Sequence, residues 1–313
     1  MRALVTGASG FVGRHLVEYL SANGHTVTAA GGPHDAEQML PIDLRDIDSL
    51  HAALDLARPA AVFHLAAQAF VPRSIEDPGE TYATNVAGTA NLLQALREHR
   101  ERSGTNVRLV FVSSAEVYGV QPPAAMPLTE TIPPNPVNPY AASKAAAEAI
   151  VLGEARSFGV DAVITRAFNH IGPGQNERFA VPSFATQLAA IAAGGDPVML
   201  VGNLEAKRDF LDVRDVVAAY AALAQRGKSG EIYNVCSGTA ASMREILSEL
   251  IRIARVPVEV REDPARMRPA DVPLLYGSNA KLREAADWSQ AIPLRVTLQD
   301  VYREAQMRPL RHG

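Results

Sequence analysis

Apolar and polar positions in the first 170 residues switch repeatedly between two periods. Ala3-Leu4-Val5-Thr6 is a short continuous apolar run, as expected of a strand buried on both faces, and from Phe11 to Ala22 apolar residues recur at helical spacing. A glycine-rich turn separates them. The alternation then repeats. Thr26 to Ala29 reads as a strand, Ile47 to Leu56 as a helix, Ala61 to Leu65 as a strand and Thr81 to Arg97 as one long helix. Val107 to Ser113 gives another strand, Tyr140 to Phe158 another helix and Asp161 to Arg166 the next strand. Parallel strands need crossover connections, so this order predicts an α/β fold with a Rossmann-type doubly wound parallel sheet.

From Gly172 the pattern becomes irregular, broken by Gly172-Pro173-Gly174 and Gly194-Gly195-Asp196-Pro197. This half predicts a smaller α/β substrate lobe. Arg208 to Ala224 reads as a strand or turn feeding a buried helix that returns to the first lobe, so the two lobes are expected to interleave. Residues 1–166 with about 209–236 would form the dinucleotide-binding domain, and about 167–208 with 237–313 the other lobe. The proline-dense stretch 122–139 reads as an ordered loop beside a site.

Composition narrows the function classes. The chain has 313 residues, 47% of them hydrophobic, enough for a sizeable core, and a net charge of −4. No broad cationic field is available for nucleic acid or an acidic membrane, so a small-molecule ligand is expected. The lone Cys236 cannot form an internal disulfide. Strand-like residues start directly after Met1-Arg2 and no apolar run reaches bilayer length; both features predict a cytoplasmic protein that does not span a membrane. The histidines lack metal-binding spacing, so no metal is expected.

Candidate chemistry gathers at two places. Gly7, Gly10 and Gly13, with Phe11 and Val12 between them, form a G-x-x-G-x-x-G turn between the first strand and helix. Such a turn lets a pyrophosphate approach the backbone and face a helix N-terminus, predicting a dinucleotide cofactor. After the second strand, Thr28 to Gly32 includes neither an acid to hold a ribose 2′-hydroxyl nor an arginine to clamp a 2′-phosphate. NADP(H) and NAD(H) both stay open, the missing acid leaning slightly to the first. Asp43-Leu44 either flanks the adenine or opens a surface loop.

The second place is the helix begun by Asn138 as N-cap and Pro139, on which Tyr140 and Lys144 share a face. A phenol ordinarily titrates near pH 10. A nearby ammonium and a hydroxyl from Ser114 are expected to lower that value, with Ser114 also polarising a carbonyl. Alone, a tyrosine and a lysine four apart would read as ordinary helix-surface packing.

These residues together resemble the extended short-chain dehydrogenase/reductase family. His64-Leu65-Ala66-Ala67, Thr84-Asn85-Val86-Ala87-Gly88-Thr89, Ser113-Ser114-Ala115-Glu116-Val117-Tyr118-Gly119 and Tyr140-Ala141-Ala142-Ser143-Lys144 match its motifs in order. The resemblance implies that Leu65, Ala66 and Ala67 line the cofactor and that Ser114, Tyr140 and Lys144 are the catalytic trio. Within the family, the stretches 166–175, 203–215, 233–238 and 266–273 look most like enzymes that reduce GDP-4-keto-6-deoxy-D-mannose. That likeness implies a GDP-sugar partner and reduction of its C4 ketone to give GDP-D-rhamnose. By position, Asn169 would contact the sugar-nucleotide and Arg208 and Arg268 its diphosphate or ribose. Asp271 would accept from a ribose hydroxyl or cap a turn. His170 is expected to be structural, and the helices Thr81–Arg97 and Tyr140–Phe158 to pair in a homodimer through a four-helix bundle.

One departure matters. Glucose-type 4,6-dehydratases of the family place an acid before the glutamate after the catalytic hydroxyl, whereas this chain has Ala115-Glu116. Glu116 supplies the base at C5 but no acid for the departing oxygen, so a GDP-mannose 4,6-dehydratase or a related epimerase is the second reading. A non-catalytic dinucleotide sensor is a third, opposed by the intact trio.

Overall fold

The computed structural model describes residues 1–32, 39–266 and 272–308. β1 (Arg2–Thr6) turns through the glycine segment into α1 (Phe11–Ala22), followed by β2 (Thr26–Gly31) and β3 (Leu40–Pro41). α2 (Ile47–Ala57) leads to β4 (Ala61–His64); α3 (Val71–Glu76) and α4 (Pro78–Tyr82) then run through a π-turn, Ala83–Ala87, into α5 (Gly88–Ser103). β5 (Arg108–Ser114), α6 (Pro139–Phe158) and β6 (Ala162–Ala167) come next. Beyond them lie β7 (Asn169–Ile171), α7 (Ala180–Ala192), β8 (Val198–Val201), β9 (Lys207–Asp212), α8 (Val213–Arg226) and β10 (Ile232–Val235). β11 (Ala240–Ser242), α9 (Met243–Ala254), β12 (Glu259–Glu262), β13 (Leu274–Leu275), α10 (Ala280–Ala286) and α11 (Leu294–Met307) follow.

Among the described residues the main sheet has seven strands in the order β10-β6-β5-β4-β1-β2-β3, every neighbouring pair parallel. Both faces are covered, which is why β4 and β6 are buried along their whole length and read as unbroken apolar runs. One face packs Val5 and Phe63 against Leu16 and Leu20 of α1 and Val216, Val217 and Tyr220 of α8. The other packs Leu4, Val62 and Leu109 against Leu50 of α2, Leu92 and Leu96 of α5 and Val151 of α6. The strand order reverses between β1 and β4. In doubly wound sheets the ligand crevice opens at such a point, beyond the C-terminal ends of the strands.

A separate core joins α7, α9 and α11 through Phe184, Leu188, Ile246, Leu250, Leu298 and Val301. Beside it β9 pairs with β7 and β13 in parallel and with β11 antiparallel, and β8 pairs with β12. The chain leaves the main sheet after β6 and returns to it as β10, which pairs with β6. No helix among the described residues is long and apolar enough to cross a membrane.

The helix expected over Thr81–Arg97 differs from the structure. It begins at Pro78, runs to Ser103 and is interrupted by the π-turn, in which Gly88 N–H reaches back five residues to the Ala83 carbonyl. The widened turn carries Asn85, 2% exposed, inward. There its amide pairs with the Gln68 backbone at 2.8 and 3.0 Å and donates to Ser143 Oγ at 2.9 Å. Buried hydrogen bonds at one position outweigh regular helical spacing, and a hydrophobic period carries no trace of them.

Candidate active site

The glycine turn stands at the point of strand reversal. Gly7 has φ +70°, and a Cβ there would lie 2.7 Å from the Ala66 nitrogen beyond β4; a Cβ on Gly13 would strike the Gly7 carbonyl and Ala8. Gly10 caps α1 without a side-chain hydrogen bond, so the first-turn N–H groups of Phe11, Val12 and Gly13 have no side-chain cap. A turn too close for side chains, with unspent donors at a helix start, fits a dinucleotide pyrophosphate. Phe11 stacks on His170 with centroids 6.1 Å apart. The His170 Nδ1–H donates to the Phe168 carbonyl at 3.0 Å, in keeping with a structural role.

Leu65, Ala66 and Ala67 are half-buried directly after β4. Ala66 N–H donates to Thr6 Oγ1 at 3.3 Å, and that oxygen also meets His64 Nδ1 at 2.8 Å. His64, 1% exposed, reaches Thr89 Oγ1 with its other nitrogen at 3.2 Å. Burial, aided by the Lys144 charge, drives its pKa down to about 3, so the ring is neutral. At the β2 end, Ile42 N–H donates to the Gly31 carbonyl, which sets Asp43 beside that strand terminus. Its carboxylate takes Arg45 Nε and a second guanidinium nitrogen at 3.0 and 2.9 Å, and these bonds hold it below the usual carboxylate range. Leu44 turns into the core, and its carbonyl accepts from Asn91.

Asn138 and Pro139 open α6 as expected, the Asn138 side chain accepting from Ala141 N–H at 2.8 Å. That start presents Tyr140 to the end of β5, where its phenol neighbours Ser114. Ser114 Oγ also accepts from Glu116 N–H at 3.2 Å. The phenol departs from expectation. Burial pushes the Tyr140 pKa up to about 12 against the Ser114 hydrogen bond, with Glu116 adding to the rise. Lys144 lies one turn further along the same helix, where its Nζ donates to the Val112 carbonyl at 2.8 Å and lies 5.3 Å from the Phe111 ring centroid. Burial lowers the Lys144 pKa to about 8 against the opposing charge of Glu148. Desolvation of the phenol therefore outweighs its neighbours, and the group is a protonated donor at neutral pH.

The structure gathers Ser114, Glu116, Tyr140 and Lys144 at one strand end. Glu116 is half-buried and accepts from Asn138 Nδ2 at 3.3 Å. Asn169 is exposed at the start of β7, and Arg208 is buried on β9; these strands pair in parallel with Asn169 opposite Phe210. Arg208 donates to the Lys207 carbonyl at 2.9 Å. Arg268 and Asp271 lie outside the described residues. Among the described residues no group of His, Cys, Asp or Glu is arranged to hold a metal.

Sequence reasoning passed over the buried charges beneath this site. Glu148 follows Lys144 by four residues, and Arg166 stands in an otherwise apolar strand. A lone charge inside a buried strand signals a partner, since an unpaired one is costly.

A glycine cradle and a proton-donating phenol facing one crevice are what hydride transfer to or from a carbonyl requires, and the protein is of the NAD(P)-dependent oxidoreductase class. The family described as GDP-mannose 4,6 dehydratase matches residues 4–301. GDP-6-deoxy-D-mannose reductase of Pseudomonas aeruginosa is 42% identical over 312 residues, covering 98% of each chain. The structure of RMD from Pseudomonas aeruginosa complexed with NADPH superposes with a TM-score of 0.88 at 38% identity, covering 99% of this chain and 100% of that one. UDP-glucose 4-epimerase of Thermus thermophilus in complex with NAD gives 0.86 at 32% identity, covering 97% and 99%. The chain belongs to the extended short-chain dehydrogenase/reductase family, within the group described as GDP-mannose 4,6 dehydratase.

Proposed function

We propose that the protein reduces the C4 ketone of GDP-4-keto-6-deoxy-D-mannose to GDP-D-rhamnose with NADPH or NADH. The observation that carries this reading is the Tyr140 phenol, kept protonated by burial beside Ser114, in a chain alike over its full length to a GDP-6-deoxy-D-mannose reductase. A ketone reduction consumes a proton at oxygen, which a neutral phenol can give. A reduced dinucleotide held by its pyrophosphate on the glycine turn would supply the hydride to C4. Tyr140 delivers its proton to the carbonyl oxygen as the C=O bond becomes CH–OH, and Ser114 donates a hydrogen bond to the same oxygen as charge develops. Lys144 keeps a positive charge below the phenol that eases proton release. Asn169, Arg208, Arg268 and Asp271 would hold the sugar-nucleotide, a guanidinium matching phosphate oxygens with its fork of donors.

The interleaved division stated above would close the two lobes over the substrate. A homodimer through α5 and α6 in the cytoplasm completes the proposal; light scattering of the purified chain tests its assembly. Adding the ketosugar with NADPH or NADH should oxidise the coenzyme one-for-one, with NMR showing a hydroxyl at C4. Glu116 beside Tyr140 favours a second reading, dehydration of GDP-mannose. Loss of water from GDP-mannose at constant coenzyme, without reduction of the ketosugar, would establish that reading instead.

A further inference from the structure

Beneath the trio lies a buried charge pair that the proposed reduction does not use. Glu148 on α6 and Arg166 on β6 are each 2% exposed. Arg166 Nε donates to both carboxylate oxygens at 3.1 and 3.2 Å, and a second guanidinium nitrogen donates at 2.8 Å. Ser113 Oγ donates to Glu148 Oε1 at 2.5 Å. The guanidinium also lies 4.6 Å from the Tyr118 ring centroid, fixing the pair from its far side. An apolar pair of similar volume would stabilise the fold as well as a buried ion pair. Such a pair would hold no serine and would put no negative charge near Lys144.

Both of those effects bear on the trio. Ser113 precedes Ser114 at the end of β5, and Glu148 lies one helical turn past Lys144. We propose that Glu148 is a positioning residue for the reduction: its carboxylate fixes the β5 end that carries Ser114 and supplies the negative charge that keeps the Lys144 ammonium ionised. Among the described residues, the following titratable, charged and polar groups face Lys144. From β4 comes His64, neutral above about pH 3; from β5 come the Val112 carbonyl and the Phe111 ring. Tyr140 and Glu148 share its helix, and Arg166 of β6 faces it through Glu148. Burial lowers the Lys144 pKa and Glu148 opposes that fall.

The inference rests on the reductase reading, and the two fail separately. The experiment is the pH profile of kcat/KM for NADPH-driven reduction of GDP-4-keto-6-deoxy-D-mannose. Glu148→Gln should move the alkaline limb to lower pH by about one unit, with KM for the sugar-nucleotide unchanged. Glu148→Asp, which keeps the charge, should place the limb between the two. Ser113→Ala should lower kcat roughly ten- to a hundredfold without moving the limb, because it releases the strand end and leaves the charge. If Glu148→Gln does not fold, Glu148→Asp carries the test, and a limb at the native position overturns the proposal. An active Glu148→Gln whose rate falls equally at every pH also overturns it. Absence of turnover in the unsubstituted protein counts instead against the reductase reading.

Discussion

Lys144 Nζ donates to the Val112 carbonyl oxygen at 2.8 Å, mooring the α6 ammonium to β5 two residues before Ser114. The charge is thereby anchored to the strand that carries the hydroxyl, one helical turn from the phenol. With its pKa near 8, Lys144 is ionised below that pH and neutral above it, while Tyr140, at about 12, stays protonated throughout the working range. The rate of ketone reduction should thus be sustained below pH 8 and decline as pH rises through it. Steady-state kinetics between about pH 6 and 10 test this, and a level profile across pH 8 would remove Lys144 from the account.

Tyr140→Phe deletes the proton donor and nothing else in the helix face. Turnover should drop by roughly 10²–10⁴, while NADPH affinity measured by fluorescence titration stays the same. Ser114→Ala should cost about 10²–10³ in kcat. Full activity in either variant contradicts the proposed roles.

His64 sets an acid limit on stability. Its folded pKa of about 3 lies below the ordinary 6.5, so the unfolded chain takes up a proton that the folded chain refuses. This contribution is complete above pH 6.5 and is lost as pH falls toward 3. Between pH 6.5 and 4.5 it amounts to about 2–3 kcal/mol. His64→Gln, able to bond Thr6 and Thr89 without titrating, should show a shallower loss in urea unfolding over that interval; equal slopes would refute the assignment.

Gly13→Ala would drive a methyl into the Gly7 carbonyl and to 2.7 Å from the Ala8 Cα. The backbone must move, at about 1–3 kcal/mol, and the cradle moves with it. NADPH binding by calorimetry should weaken together with the melting temperature. A variant that binds as tightly as the parent would show that the turn does not hold the pyrophosphate.

Much of this arrangement was legible in the sequence. α1 spans Phe11–Ala22 as its period indicates, and Asn138 and Pro139 start α6 because local capping chemistry decides a helix start. What escaped depends on partners distant in sequence. The Glu148–Arg166 pair spans α6 and β6, and Asn85 meets Gln68 and Ser143 from three separate segments. The Tyr140 pKa shows the same limit. Its neighbours are visible in the sequence, but the depth of burial that outweighs them appears only once the chain is packed.

The π-turn at Ala83–Ala87 amounts to one surplus amino acid in an otherwise regular rod. Excising any single residue there would leave a helix with unbroken α-helical bonding but turn its upstream half by about 100° relative to the downstream half. Thr81, which accepts from Gln68 Nε2 at 3.1 Å, would then swing off the loop that follows β4. A shortened chain should therefore fold with a stiffer, more uniform helix yet hold Tyr140 less firmly, because Asn85 would no longer link Gln68 to Ser143 and through it to the Tyr140 backbone.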